Sequence, residues 1–355
     1  MSRAAKSRRV LVYGANGYTA ELLLPELAAR NIEVVAAGRN AQRIGRIAAQ
    51  FAVESRTFEL TDPECVDRNI GDVAAVLNAA GPFADTAAPL IDACLRRRVD
   101  YLDLCGEVDP LAYAASMDRV ARSQQVMLLP AVGFDVVPSD CLALLVANRL
   151  PNADSLMLAI SPSNFISKGS ANTLLRHLGV AARTRVNGSL EPMNYRIQMR
   201  WADFGQGQVP TIAVNWGDLV TAYHSTGIPN IEVYFDATWL RWNLVTINQL
   251  WGWALRTPYM VNLLRQVFDT IPGGPNAEQR QAQGAAIVAE VRRGEQAARA
   301  RMVTPDAYGC SAAVAVRVLD AVVSGQRQPG FQTPARLLGP EFIMTVPGVQ
   351  REVLE

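Results

Sequence analysis

Four groups of residues in this chain could do chemistry, and their types and spacing say what that chemistry would be. The first is the small-residue turn Gly14-Ala15-Asn16-Gly17-Tyr18-Thr19-Ala20. Gly14 can take a tight backbone turn, Gly17 lets the chain approach a pyrophosphate with no Cβ in the way, and Ala20 is small enough for a helix to pack on a sheet. The second is Arg39-Asn40, with Arg43 one turn further on. An acid at that place usually holds the ribose hydroxyls of a dinucleotide, whereas an arginine pairs with a 2′-phosphate. The third is Asn78-Ala79-Ala80-Gly81-Pro82-Phe83, which leaves a strand on small residues. The fourth is a set of titratable groups, Asp103, Glu107, Asp135 and His224, any of which could supply the proton that a hydride transfer to a C=N, C=O or C=C bond requires.

Each group has a plainer alternative. Arg39 could be a solvated arginine at a helix start, and 78–83 an ordinary strand-to-helix loop. Asp103 and Asp135 could cap helices, Glu107 could hold backbone N–H groups, and His224, read as lying in a polar loop beside Ser225 and Thr226, could hold a turn. Cys105 has no identifiable base to make it a nucleophile.

The elements that must position these residues alternate regularly. Val10–Tyr13 reads as a strand ending on Gly14, followed by a helix over 18–30, a strand over 33–37 and a helix over 40–51. Strands are expected at 57–60, 73–77, 101–104 and 126–132, with helices over 89–98 and 111–124. Continuous apolar strands alternating with helices indicate a parallel sheet covered on both faces. A glycine turn immediately after the first strand and opening the first helix predicts dinucleotide binding, with NADP(H) favoured by Arg39.

Composition removes other mechanisms. Thirty-four basic residues face thirty-three acidic ones, and a net charge of +1 gives no reason to expect nucleic acid. Lys6 and Lys168 are the only lysines, so no Gly-Lys-Ser/Thr phosphate loop exists and no tyrosine has a lysine four residues after it. The five cysteines are widely spaced, with no C-x-x-C and no nearby histidine; the expectation is reduced thiols in a cytoplasmic protein and no metal site. The basic start, Met1–Arg9, reads as a tail, since Gly14, Asn16 and Gly17 interrupt the apolar run that a signal peptide needs.

In the second half, strands are expected at 155–161, 209–214 and 231–235, a hairpin over 286–302 around Arg293-Gly294-Glu295, and helices over 170–178 and 312–323. Between them, 238–268 is helical in character and holds Trp239, Trp242, Trp251 and Trp253. Its arginines, asparagines and proline rule out a membrane span, leaving core or dimer surface, a wall for an apolar substrate, or peripheral membrane contact.

The runs at 14–20, 37–40, 78–83, 101–107 and 133–140 resemble the saccharopine dehydrogenase-like oxidoreductases, in the branch that includes trans-acting enoyl reductases. The later runs 216–218, 221–230 and 331–335 are similar as well. The resemblance implies a Rossmann-type doubly wound sheet over 1–135, a second α/β domain with an open mixed sheet over 136–308, and a segment over 309–355 returning toward the nucleotide domain. Two positions depart from the family: Ala20 stands where glycine is common, and 166–173 is poorer in glycine. The expected activity is NADPH-dependent reduction of an imine, enoyl or keto group on a small or acyl-chain substrate, by a homodimer. A non-catalytic NADP(H) sensor and a membrane-associated enoyl reductase are the alternatives.

Overall fold

The computed structural model describes residues 8–161, 182–193, 198–237, 257 and 284–354. The segment 166–173, the helix expected over 170–178 and, apart from Thr257, the tryptophan-rich stretch 238–268 lie outside the described residues. The chain forms two compact units, Met1–Val137 with Tyr308–Leu338, and Pro138–Ala307 with Gly339–Glu355. The single C-terminal segment expected over 309–355 is therefore divided, 308–338 in the first unit and 339–355 in the second.

The first unit is built on β1 (Arg9–Tyr13), β2 (Glu33–Gly38), β3 (Glu54–Thr57), β4 (Ala75–Asn78), β5 (Asp100–Asp103) and β6 (Met127–Leu129). A short C-terminal strand, β15 (Gly330–Phe331), completes the order β15-β6-β5-β4-β1-β2-β3, with every pairing parallel. The chain reverses direction in the sheet between β1 and β4, the switch point where doubly wound sheets hold ligands. Leu11, Val12, Val35, Val76, Leu77 and Leu102 are wholly buried, which is why these strands read as continuous apolar runs. The intervening helices are α1 (Tyr18–Ala29), α2 (Ala41–Phe51), α3 (Pro63–Ile70), α4 (Phe83–Arg97), α5 (Val108–Ser116) and α6 (Asp118–Gln124).

The strand expected over 126–132 is shortened to 127–129, and three other boundaries differ from expectation for a tertiary reason. The third strand lies at 54–57, not 57–60. Phe58, which gave the apolar signal, instead packs its ring on Tyr13 at 5.2 Å, while β3 itself carries Glu54 and Arg56. The helix expected from Pro89 begins at Phe83 and contains Pro89, because the Glu107 carboxyl holds its first N–H groups. The single helix over 111–124 is two, broken at Met117, where Asp118 turns to accept the N–H of Phe331 at 2.8 Å.

The second unit opens with α7 (Val137–Arg149), which sequence reading left unassigned. It contains a mixed sheet of β7 (Ser155–Ser161), β10 (Met199–Asp203), β11 (Gln208–Ala213), β12 (Asn230–Asp236), β13 (Ala285–Arg293), β14 (Gln296–Thr304) and β16 (Gln350–Leu354). The order is β10-β11-β12-β7-β13-β14-β16. The hairpin of β8 (Arg183–Val186) and β9 (Ser189–Pro192) lies off this path against β12. Among the described strands of this sheet, only β7 and β12 pair in parallel. No helix among the described residues is long and apolar enough to cross a membrane.

Candidate functional site

The strand register sets the site. Tyr13 pairs with Ala37 on one side and Asn78 on the other, and Asn78 pairs with Asp103. The parallel strands thus end together, and the segments after them, 14–20, 39–40, 79–83 and 104–107, leave from one edge of the sheet.

Gly14 has φ +84°, and a Cβ there would lie 2.7 Å from the Ala80 Cβ and 2.8 Å from the Ala80 N. No side chain fits between the first turn and the 78–83 loop, so the two segments are packed backbone against backbone. The Gly14 N–H donates to the Ala37 carbonyl at 2.8 Å, and the Gly17 N–H closes back on the Gly14 carbonyl at 2.9 Å. Helix α1 starts on Gly17 with no side-chain cap, followed by Tyr18, Thr19 and the buried Ala20. A backbone cradle that a Cβ would fill, opening a helix with no side-chain cap, fits a pyrophosphate.

Arg39 and Arg43 are exposed, and neither forms an ion pair among the described residues. Asn40 turns its side chain inward to the helix instead: its Oδ1 accepts the Arg43 N–H at 3.0 Å, capping α2. Arg39, just past β2, and Arg43, in the first turn of α2, thus have no ion pair among the described residues, which suits a 2′-phosphate.

The 78–83 loop is held from within. Buried Asn78 donates through Nδ2 to Thr86 Oγ1 at 3.0 Å and to the Tyr101 hydroxyl at 3.2 Å, and its Oδ1 accepts the Ala80 N–H at 3.0 Å. Thr86 returns a bond to the Ala80 carbonyl at 2.7 Å. The Ala79 N–H donates to the Tyr13 carbonyl, and the Gly81–Pro82 peptide is cis.

The three carboxyl groups differ sharply. Asp103 is fully engaged: Oδ1 accepts the N–H of Cys105 at 2.9 Å and of Ala131 at 2.7 Å, and Oδ2 accepts the Tyr101 hydroxyl at 2.8 Å. Burial raises its pKa to about 6 against the pull of these donors. Burial and the Asp103 charge in turn push the Tyr101 phenol up, so it stays a donor. Glu107 accepts the N–H of Phe83 at 2.9 Å and of Ala84 at 3.2 Å, which makes it a cap on the N-terminus of α4. Asp135 is half-buried in the turn after β6, its carboxyl pressed against Gly106, where a Cβ would lie 2.9 Å from Oδ2. Burial, and then the charge of Glu107, raise its pKa to about 6. With that pKa, Asp135 is mostly protonated below about pH 6 and keeps a minority protonated population at neutrality.

His224 belongs to the second unit, in the last turn of α8 (Asp218–Thr226) rather than in a loop. The polar residues that suggested a loop are satisfied from the helix. Ser225 donates to Asp140 Oδ2 at 2.8 Å, Thr226 donates to the Ala222 carbonyl at 2.6 Å, and Gly227, at φ +74°, ends the helix. The His224 ring stands edge-on to Tyr223 at 5.4 Å.

Sequence reasoning missed Tyr101, Thr86 and Ser311. Tyr101 and Asp103 lie two apart on one face of β5, a signal present in the sequence. Ser311, whose Oγ accepts the Phe134 N–H at 2.9 Å, had no local signal at all. Among the described residues no cluster could hold a metal ion.

Residues 10–127 match the family described as the saccharopine dehydrogenase NADP binding domain. The trans-acting enoyl reductase of Mycobacterium leprae (strain TN) is 29% identical over 150 residues, 39% of this chain and 35% of that protein. The saccharopine dehydrogenase-like oxidoreductase of Mus musculus is 25% identical over 170 residues, 42% of this chain and 40% of that protein. The chain thus spans well under half the length of the curated relatives it matches. The solved structure of apo histidine-tagged saccharopine dehydrogenase (L-Glu forming) from Saccharomyces cerevisiae has a TM-score of 0.62 at 12% identity, covering 98% of this chain and 100% of that one, a likeness of fold. The glycine turn, the exposed arginines and the match agree, and residues 10–127 are similar to a saccharopine dehydrogenase NADP-binding domain.

Proposed function

We propose that this chain is an NADPH-dependent reductase of an imine, enoyl or keto group on a small or acyl-chain substrate, with Asp135 as the proton donor. The observation that carries the reading is the company Asp135 keeps. It is a carboxyl with a pKa of about 6, packed on Gly106 of the segment that leaves the same sheet edge as the glycine turn. Bound on that turn, the reduced cofactor supplies the hydride. Gly14 and Gly17 would seat the pyrophosphate and Arg39 and Arg43 would meet the 2′-phosphate, while Asn78 holds the 78–83 loop beside the turn. Asp135 holds a proton and releases it to the atom on which negative charge develops, then regains it from water. Asp103 and Glu107, their oxygens occupied by N–H and O–H donors, hold the loops. His224 has no role in this reading.

The relatives named as trans-acting enoyl reductases favour a C=C acceptor within that range. Four of the five cysteines are buried and none forms a disulfide, which supports a reducing, cytoplasmic setting. Met199 and Trp201 are exposed on β10, where the described strand order ends, and support a homodimer.

The test is NADPH titration followed by turnover on enoyl, imine and carbonyl panels. In the wild type kcat/KM should fall as pH rises through about 6, because the protonated form of Asp135 is the active one. Asp135→Asn should lower kcat about 10²–10⁴-fold with NADPH affinity unchanged. Full activity in that variant would overturn the role of Asp135. Tight NADPH binding with no turnover on any panel would leave a non-catalytic sensor.

A further inference from the structure

The helix α9 (Ala307–Val323) follows the 138–307 stretch of the second unit in sequence, yet from Tyr308 onward it belongs to the first unit. The Tyr308 ring stands edge-on to the Tyr18 ring, with centroids 5.1 Å apart and planes at 87°. Tyr18 is the first residue of α1, directly after Gly17, so Tyr308 flanks the start of the helix that the glycine turn opens. One turn further on, Ser311 Oγ accepts the Phe134 N–H at 2.9 Å, next to Asp135. A Cβ on Gly133 would lie 3.4 Å from that same oxygen, so the contact is close. Residues three apart share a helical face, so one face of α9 touches both the phosphate turn and the acid-bearing turn. The helix is anchored, because Cys310, Val314, Ala315 and Val318 are wholly buried.

We propose that the first turn of α9 belongs to the dinucleotide site, with Tyr308 as the residue that positions the cofactor against the glycine turn. The inference rests on the NADP(H) reading and extends it to a segment beyond the matched 10–127. What Tyr308 contributes is its ring: it fixes the Tyr18 side chain by edge-to-face contact and walls the flank of the pyrophosphate from water. Ser311 holds the Phe134–Asp135 turn to the same helix, so cofactor seat and proton donor share one support.

The test uses the full chain, with NADPH affinity read from nicotinamide fluorescence and hydrogen exchange read on the wild type. Tyr308→Ala should weaken NADPH about tenfold while the melting temperature without cofactor falls by no more than about 2–4 °C. Tyr308→Phe, which keeps the ring, should bind within about twofold of wild type. Amides over 308–312 of the wild type should exchange more slowly once NADP⁺ is added. Unchanged affinity in Tyr308→Ala, a Phe variant as weak as Ala, or exchange over 308–312 indifferent to NADP⁺ would each overturn the inference while leaving the glycine turn as the cofactor seat. A wild type that binds no NADPH would overturn the cofactor reading itself, so the two failures are distinguishable.

Discussion

The two edges of the nucleotide sheet use the same residue types for opposite ends. At the N-terminal edge, Arg9 pairs with Glu33, Glu54 and Asp72, and Arg56 pairs with Glu54 and Asp72. At the C-terminal edge, Arg39 and Arg43 meet no acid among the described residues, while Asp103 and Asp135 have their pKa raised to about 6 by burial. Strand β5 shows both treatments at once: Asp100 at its start takes a two-pronged bond from Arg327, and Asp103 at its end meets only neutral donors. One edge satisfies its charges internally and so stabilises the fold. The other leaves cations exposed and protons held on buried carboxyls, and those are the groups a charged cofactor and a reduction step would use.

The largest effect that sharpens this contrast lies at Arg327. Its guanidinium donates to both oxygens of Asp100, at 2.8 and 2.9 Å, and to the Gln125 carbonyl at 2.8 Å, tying the C-terminal return to β5 and β6. Asp100 is nearly buried, so Arg327→Ala strands a carboxylate and should cost about 3 kcal/mol of unfolding free energy. Because β15 and α9 belong to the same returning segment, NADPH should also bind more weakly. A denaturation midpoint equal to wild type would mean the N-terminal edge is not where the unit is held.

Arg39 tests the other edge. Arg39→Asp should weaken NADPH about 10–100-fold and leave NADH nearly unaffected, with little change in stability, since Arg39 forms no ion pair among the described residues. Equal losses for both cofactors would break the contrast, because the exposed cation would then be recognising something other than the 2′-phosphate.

How much of this was legible in the sequence follows the same division. Gly14, Gly17, Ala20 and the apolar strands announce themselves locally, because backbone sterics and burial are written in residue type at fixed offsets. The hairpin expected over 286–302 and found over 285–304 was legible for the same reason, whereas the mixed second sheet was expected only from the family resemblance. What was hidden depends on partners far along the chain. Glu107 reads as a candidate acid until its oxygens are seen on the N–H groups of Phe83 and Ala84, and Asn40 reads as a ligand until it caps α2. His224 looked like a loop residue because Ser225 and Thr226 are polar, and their bonds to Asp140 and Ala222 show only in three dimensions. Nothing near Tyr308 or Ser311 points to a turn some 290 and 180 residues away in the chain, which only folding brings beside them.

The smallest effect tests the contrast by pH, where the two edges have opposite signs. Hydrogen bonds from Arg56 hold Asp72 at a pKa of about 2, below its ordinary 3.8. Between those values the unfolded chain binds more protons than the folded one, so this contribution is complete above about pH 4 and is lost as pH falls through 2. For Asp103 and Asp135 the folded state keeps its proton to about pH 6, so their contribution is complete below about pH 4 and is lost as pH rises through 6. Asp72 is half-exposed, with 48% of its side chain accessible, and solvent screening limits its share to about 1 kcal/mol or less. Asp72→Asn should therefore lower unfolding free energy slightly at pH 7 and converge with wild type near pH 2. Asp135→Asn should instead gain relative to wild type as pH rises from 4 to 7. Urea denaturation at intervals from about pH 2 to 7 measures both. If the two variants deviated from wild type in the same direction, the carboxyls at the two edges would not be held in opposite protonation states, and the contrast would be one of position alone.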